Sequence, residues 1–267
     1  MDLAHTRTGS GEPVLLLHGI THRRQGWDLV TPLIAQEREV WAVDLPDHGE
    51  SPDLPPEYTG DIAPVVDAVE AFCRAQGLER PHVVGNSLGG LVALELAARG
   101  TVRSATALSP AGFWSTAERV YVRGVLGGAH ALLALIPSAR LRRMLAVPVL
   151  RTVLRTVLLG VLLAHPSKVD VEQITGDLHG LSHPRSSFRK MLTALDTWTP
   201  PQPGGVPTTV GWGARDFLLP RWQSKRLRRA LPGAAVYVLP GCGHVPMGDD
   251  PHLVADLVLA ATRPRSA

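Results

Sequence analysis

Ser87 stands at the centre of Gly85-Asn86-Ser87-Leu88-Gly89, between the β-branched pair Val83-Val84 and an apolar, alanine-rich run from Leu91 to Ala98. The stretch fits G-x-S-x-G in the strand-to-helix setting that the motif requires. A turn this sharp strains its central residue, and glycine two positions to either side removes the side chains that would collide with strand and helix. The hydroxyl is left at the tip, over a helix N-terminus whose unpaired N–H groups and positive dipole end suit a developing oxyanion. Alone, the motif also fits a glycine-rich turn with an incidental serine. A serine hydroxyl is a poor nucleophile at neutral pH and needs a base, commonly a histidine held by a carboxylate. In this strand–turn–helix context the partners follow in the order Ser, Asp, His at later strand ends. Val210 to Asp216 puts an acid directly after an apolar run, and Val236 to His244 puts a histidine in a glycine-rich loop after the next. The rival acid position after the strand following Ser87 holds Ser109 and Pro110, which leaves Asp216. Asp249 and Asp250 read as first-turn acids of the last helix.

These residues need a frame. Pro13 to Leu17, Glu39 to Val43, Pro81 to Gly85 and Val102 to Leu108 are short apolar runs, as in strands covered on both faces. Leu3 to Thr8 adds a short edge strand. Trp27 to Ala35 and Asp61 to Gln76 have helical character between them. Alternating strands and helices predict an α/β fold with a mostly parallel sheet of seven or eight strands flanked by helices. Ligands of such sheets sit beyond the strands' carboxyl ends, where Ser87, His18 and Asp44 fall. From Phe113 to about Thr199 the period is helical throughout, with segments 117–135, 139–145, 149–164, 168–178 and 185–198 punctuated by prolines. This predicts a core in two parts, 1–112 and 200–267, around an all-helical lid at 113–199. Pro200 to Gly205 marks the return to the core.

Bulk composition narrows the classes. The 267 residues are 45% hydrophobic and 19% charged, ordinary for a globular chain. A net charge of +3 with lysine only at 168, 190 and 225 leaves no electrostatic footprint for nucleic acid. Cys73 and Cys242 have neither metal-ligand nor redox spacing, and both read as packing. Met1 to Glu12 is polar, unlike a secretion signal, and no apolar run approaches the ~18 residues of a transmembrane helix. A soluble cytoplasmic protein is expected.

Taken together, these motifs resemble those of the α/β-hydrolase fold superfamily, of the kind with a helical lid after the sixth strand. Leu17-His18-Gly19-Ile20 is similar to its H-G-x oxyanion loop, and Trp27, Pro32 and Leu33 to the helix that follows. Asp44 to Ser51 resembles D-x-P-G-H-G-x-S, with Asp47 where glycine is commoner. Gly85 to Gly90, Gly213 to Asp216 and Gly243 to Pro246 match the elbow, acid and histidine motifs. The resemblance implies Ser87 as nucleophile, His244 as base and Asp216 as its orienter. It also implies an oxyanion hole from the backbone N–H groups of Leu88 and Ile20, with neither metal nor organic cofactor. Little chain remains for the family's first strand.

The plainer readings of the other candidates are structural. His18 orients its own loop, His48 is a turn residue, and His5, His22, His82, His130, His165, His179, His183 and His252 lack metal spacing. Trp212 reads as core beneath the site. Arg119, Arg123, Arg140, Arg142, Arg143, Arg151 and Arg155 give the lid a basic side. A solvated helix face is the plain account, and contact with anionic lipid, an acidic substrate or a carrier the alternative. In Val149 to Leu163 the polar positions recur at i and i+4, which predicts one wet stripe and an otherwise buried helix. The expected partner is a small-molecule apolar ester or lactone, held between lid and core. A runner-up is carbon–carbon bond hydrolysis of a vinylogous diketone, because Asn86 and Gly90 resemble that subfamily. Val245-Pro246-Met247 speaks against it, since those enzymes commonly carry a tryptophan there. Epoxide hydrolases and dehalogenases carry aspartate at the elbow, where this chain has Ser87. A non-catalytic ligand-binding protein on the same fold is the rival from another class.

Overall fold

The structure is a computed structural model. It describes residues 2–263 except 21, 56, 137, 155, 157–159, 167–186 and 202–203. Seven strands form one sheet: β1 (His5–Gly9), β2 (Pro13–Leu17), β3 (Glu39–Val43), β4 (His82–Asn86), β5 (Ser104–Leu108), β6 (Thr208–Gly213) and β7 (Ala235–Leu239). Their order is β1-β3-β2-β4-β5-β6-β7. Only the edge strand β1 runs antiparallel, pairing His5 with Val43. Of the seven or eight strands expected, seven are present.

The central strands read as unbroken apolar runs because both faces are covered. Side chains alternate across β2: Leu15 and Leu17 join one core with Val65, Val69 and Phe72 of α2 (Ala63–Ala75) and Leu91 of α3 (Leu88–Ala98). Val14 and Leu16 join the other core with Trp27, Ile34 of α1 (Thr31–Ile34) and Val254 and Val258 of α10 (Pro251–Ala261). Burying the sheet on both sides leaves its carboxyl edge as the place where polar groups meet.

The helix expected over Trp27 to Ala35 is broken. A 3-10 turn, Arg24–Trp27, precedes the four-residue α1. Pro32 has no N–H to give to Asp28, so no helix can run on from Trp27. Between β5 and β6 the described residues form helices only: α4 (Thr116–Ala134), α5 (Ser138–Ala146), α6 (Pro148–Leu154) and α7 (Ser187–Thr197). The expected 168–178 helix lies outside the described residues. Of the helix expected over Val149 to Ala164, the described α6 covers Pro148–Leu154; Val149 and Val153, expected to be buried, are 72% and 53% exposed, whereas Thr152 is exposed and Leu163 buried as expected. Residues 160–166 leave the helix because their backbone is held by the loop after β7, where Val245 N–H donates to the Leu162 carbonyl (2.9 Å). After β6 come α8 (Ser224–Ala230), then β7, α9 (Pro246–Asp249) and α10. Among the described residues no helix is long and apolar enough to cross a membrane.

Candidate active site

Ser87 joins β4 to α3 with φ 54° and ψ −112°, a region that a side chain occupies only when its surroundings impose it. The turn is too tight for side chains on either side. A Cβ on Gly85 would lie 2.0 Å from the Gly89 carbonyl oxygen, and one on Gly89 would lie 2.3 Å from that of Leu17. The elbow is locked to its neighbours as well. Ser87 N–H donates to the Leu108 carbonyl (2.9 Å), and its own carbonyl accepts from Leu91 and Ala111.

Asp216 follows β6 and His244 follows β7. The His244 Nδ1–H donates to Asp216 Oδ2 over 2.9 Å, with the histidine 2% exposed and the aspartate 4%. The other oxygen, Oδ1, accepts from the Leu218 and Leu219 amides at 3.1 and 2.7 Å, which fixes the carboxylate plane. The two loops are sewn together by Arg215 N–H to the Cys242 carbonyl (2.8 Å). Asn86, one residue before Ser87, donates from Nδ2 to the carbonyls of Leu108 (3.1 Å) and His244 (2.9 Å). It therefore braces the histidine loop from the elbow side. Ser87 and His244 line one cleft, although no hydrogen bond joins them among the described residues. In unliganded enzymes such contacts are often long and tighten only with substrate.

The Leu88 and Ile20 amides have no acceptor among the described residues. Ile20 belongs to the loop after β2, held by two histidines. His18 Nε2 accepts from the Leu45 amide (2.9 Å) while its Nδ1–H donates to the Gly19 carbonyl (2.8 Å), and His48 reaches the Ile20 carbonyl (2.8 Å). Burial, reinforced by nearby His48, keeps His18 well below its ordinary pKa and therefore neutral, as accepting a bond requires. Asp44 takes Arg24 and the Glu50 amide and so shapes the next loop rather than the cleft. Trp212 is buried beneath the site, its indole N–H on the Leu219 carbonyl.

Two residues have roles that the spacing did not suggest. His22, grouped above with surface or core histidines, lines the cleft with Ser87 and His244. Burial, then the proximity of His244 and His48, lowers its pKa to about 4. Its position four residues past His18, in the loop that turns over the elbow, was the available signal. Asp249 is no exposed first-turn acid. It is 2% exposed and accepts from the amides of Gly243 (2.7 Å), Ala164 (3.0 Å) and His165 (2.7 Å), tying the histidine loop to the helical insertion. Asp250 alone caps α10, through the Leu253 amide.

Leu126 of α4 and Leu162 close the cleft from the insertion side, with Leu218 and Val245 beside them. The cavity between them is about 10 Å³, room for about one water. No cluster suited to a metal ion occurs among the described residues.

A mostly parallel sheet with a serine elbow, an acid and a histidine at the ends of β4, β6 and β7 defines an α/β-hydrolase class of molecule. The chain belongs to the alpha/beta hydrolase family, whose model matches residues 14–257. It is 32% identical over 208 residues to the epoxide hydrolase EphH of Mycobacterium tuberculosis, covering 73% of this chain and 92% of that one. It is 28% identical over 240 residues to a pimeloyl-[acyl-carrier protein] methyl ester esterase of Neisseria meningitidis serogroup B, covering 87% and 86%. Among solved structures, a thermophilic esterase from Thermogutta terrifontis shares the fold, with a TM-score of 0.71 at 19% identity over 97% of this chain and 92% of that one.

Proposed function

We propose that this protein is a serine hydrolase that cleaves a carboxylic ester or lactone of a small to medium apolar substrate through an acyl-enzyme on Ser87. The observation that carries the reading is the 2.9 Å bond from His244 Nδ1 to Asp216 Oδ2, in the cleft that also holds the strained Ser87. With Nδ1 committed, Nε2 is the nitrogen left to take the serine proton. Oγ attacks the carbonyl carbon as that proton passes to Nε2, and the oxyanion forms against the Leu88 and Ile20 amides. Losing one such donor typically costs ~2.7–4 kcal/mol of transition-state stabilisation. Collapse expels the alcohol, protonated by His244. Water, deprotonated by the same nitrogen, then attacks the acyl-enzyme and releases the acid. Every proton is moved by a group of this chain, so the scheme as written draws on no cofactor.

The elbow separates this route from one that opens an epoxide on a carboxylate nucleophile, for Ser87 offers a hydroxyl. Asn86 also bears on the diketone alternative: both amide hydrogens are engaged by backbone carbonyls, which makes it a brace for the loop. In this reading residues 113–199 act as a lid, and Leu126 and Leu162 must draw back to admit an acyl chain. A fluorophosphonate probe should label Ser87, with labelling lost in Ser87→Ala and reduced in His244→Ala. Short- to medium-chain p-nitrophenyl esters should turn over, and a dienone ring-fission substrate should not. A folded protein that neither takes the probe nor turns over any ester would overturn the reading, and tight ligand retention without turnover would favour a binding protein.

A further inference from the structure

The helices between β5 and β6 hold a row of aliphatic side chains in water. Leu132 of α4 is 54% exposed and Leu135, just beyond it, 80%; on α6, Val149 and Val153 are 72% and 53% exposed. Isolated exposed aliphatic residues are ordinary, but these flank α5 closely: Leu132 and Leu135 lead into it, and Val149 and Val153 lie on α6, which packs on α5. The charge along this stretch of sequence has one sign. Between positions 119 and 169 the chain has eight arginines and lysines and no aspartate or glutamate. Arg119 and Arg123 are drawn to Asp196, but Arg140 and Arg143 of α5 stand exposed without an ion pair among the described residues.

We propose that the face running from Leu132 to Val153 docks on the surface of an anionic lipid bilayer, with the aliphatic side chains in the headgroup boundary and Arg140 and Arg143 on lipid phosphates. Two features favour this occupant. Protein surfaces mix both signs of charge, and α5 and α6 carry no aspartate or glutamate to meet a partner protein's cations, whereas an anionic bilayer is negative throughout. A second copy in a two-fold dimer would set the arginines of one chain against those of the other, a costly juxtaposition. The proposal stands apart from the reaction at Ser87, but α4 carries both Leu126 over the cleft and Leu132 in the face, so docking and access share an element.

Flotation of the full chain with vesicles of phosphatidylcholine, alone or mixed with phosphatidylglycerol, tests it. Binding should require the anionic lipid and weaken as salt rises. Arg140→Gln and Arg143→Gln should each reduce partition roughly fivefold, and Leu135→Ser with Val149→Ser should reduce it further. Fluorophosphonate labelling in buffer should not change in any of these variants, which shows them folded and reads the serine separately from the lipid. Absence of flotation with anionic vesicles, equal binding to both vesicle types, or binding indifferent to all four substitutions would overturn the proposal. So would a solution dimer that buries the face, or capture by an acidic carrier protein in place of vesicles.

Discussion

The floor and the roof of the cleft are built on opposite terms. On the floor, the His18 loop, Ser87, Asp216 and His244 hang from the ends of β2, β4, β6 and β7, and directional hydrogen bonds fix the His18 ring, the Asp216 carboxylate and the Nδ1 of His244. The roof consists of Leu126 and Leu162, apolar side chains from an insertion whose outer helices show aliphatic residues to water. Parallel strands in fixed register bring the Asp216 and His244 loops within a hydrogen bond of one another and set Ser87 in the same cleft. A roof of apolar side chains makes no such directional bonds. Asp249 is the joint between the two, because its carboxylate holds Gly243 on one side and Ala164 and His165 on the other.

Two carboxylates near one histidine should then fail in different ways. Asp216→Asn leaves the shape of the floor but turns an acceptor into a donor opposite Nδ1, which imposes the wrong tautomer on His244. We expect kcat on esters to fall on the order of 10⁴-fold, with little change in Tm. A fall of only a few-fold would mean that the floor is less particular than its bonds suggest. Asp249→Ala should do the reverse. It leaves buried amides without an acceptor and should cost roughly 3–4 kcal/mol of stability, read by chemical denaturation. Faster hydrogen exchange at residues 160–166 should accompany it, with a smaller effect on kcat than Asp216→Asn. Equal damage to kcat from both substitutions would erase the distinction between joint and floor.

How much of this the sequence disclosed follows the same division. The sheet, the elbow and the loops that carry Asp216 and His244 were legible because their signals are local: apolar runs of strand length, followed by glycine and a chemically capable residue. Asp249 was misread because an acid at the start of a helix looks the same whether it caps that helix or turns inward to another segment. Its partners at Ala164 and His165 are 85 and 84 positions away. The roof was misread for a related reason. Periodicity in Val149 to Leu163 identifies an apolar face but does not say what covers it, and the segment's end is bent by bonds to the His244 loop, which helix propensity does not include.

Acid should reach the floor through its neutral histidines. His22 has a pKa of about 4 in the folded chain against 6.5 for an ordinary histidine, chiefly because burial disfavours the charged ring and secondarily because His244 and His48 stand near. Between those values the unfolded chain binds a proton at this position and the folded chain does not, so stability falls as pH falls from 6.5 towards 4 and is fully present above that window. The span corresponds to about 3 kcal/mol for this one group. His18 titrates in the same direction, since it too is held neutral by burial. Urea midpoints should therefore drop steadily below pH 6.5, and His22→Gln should make that drop shallower without abolishing it, because His18 remains. If the variant's slope matches that of the parent, the His22 ring is charged or solvated in the folded protein, and the dry, fixed character assigned to the floor stops short of the loop that carries it.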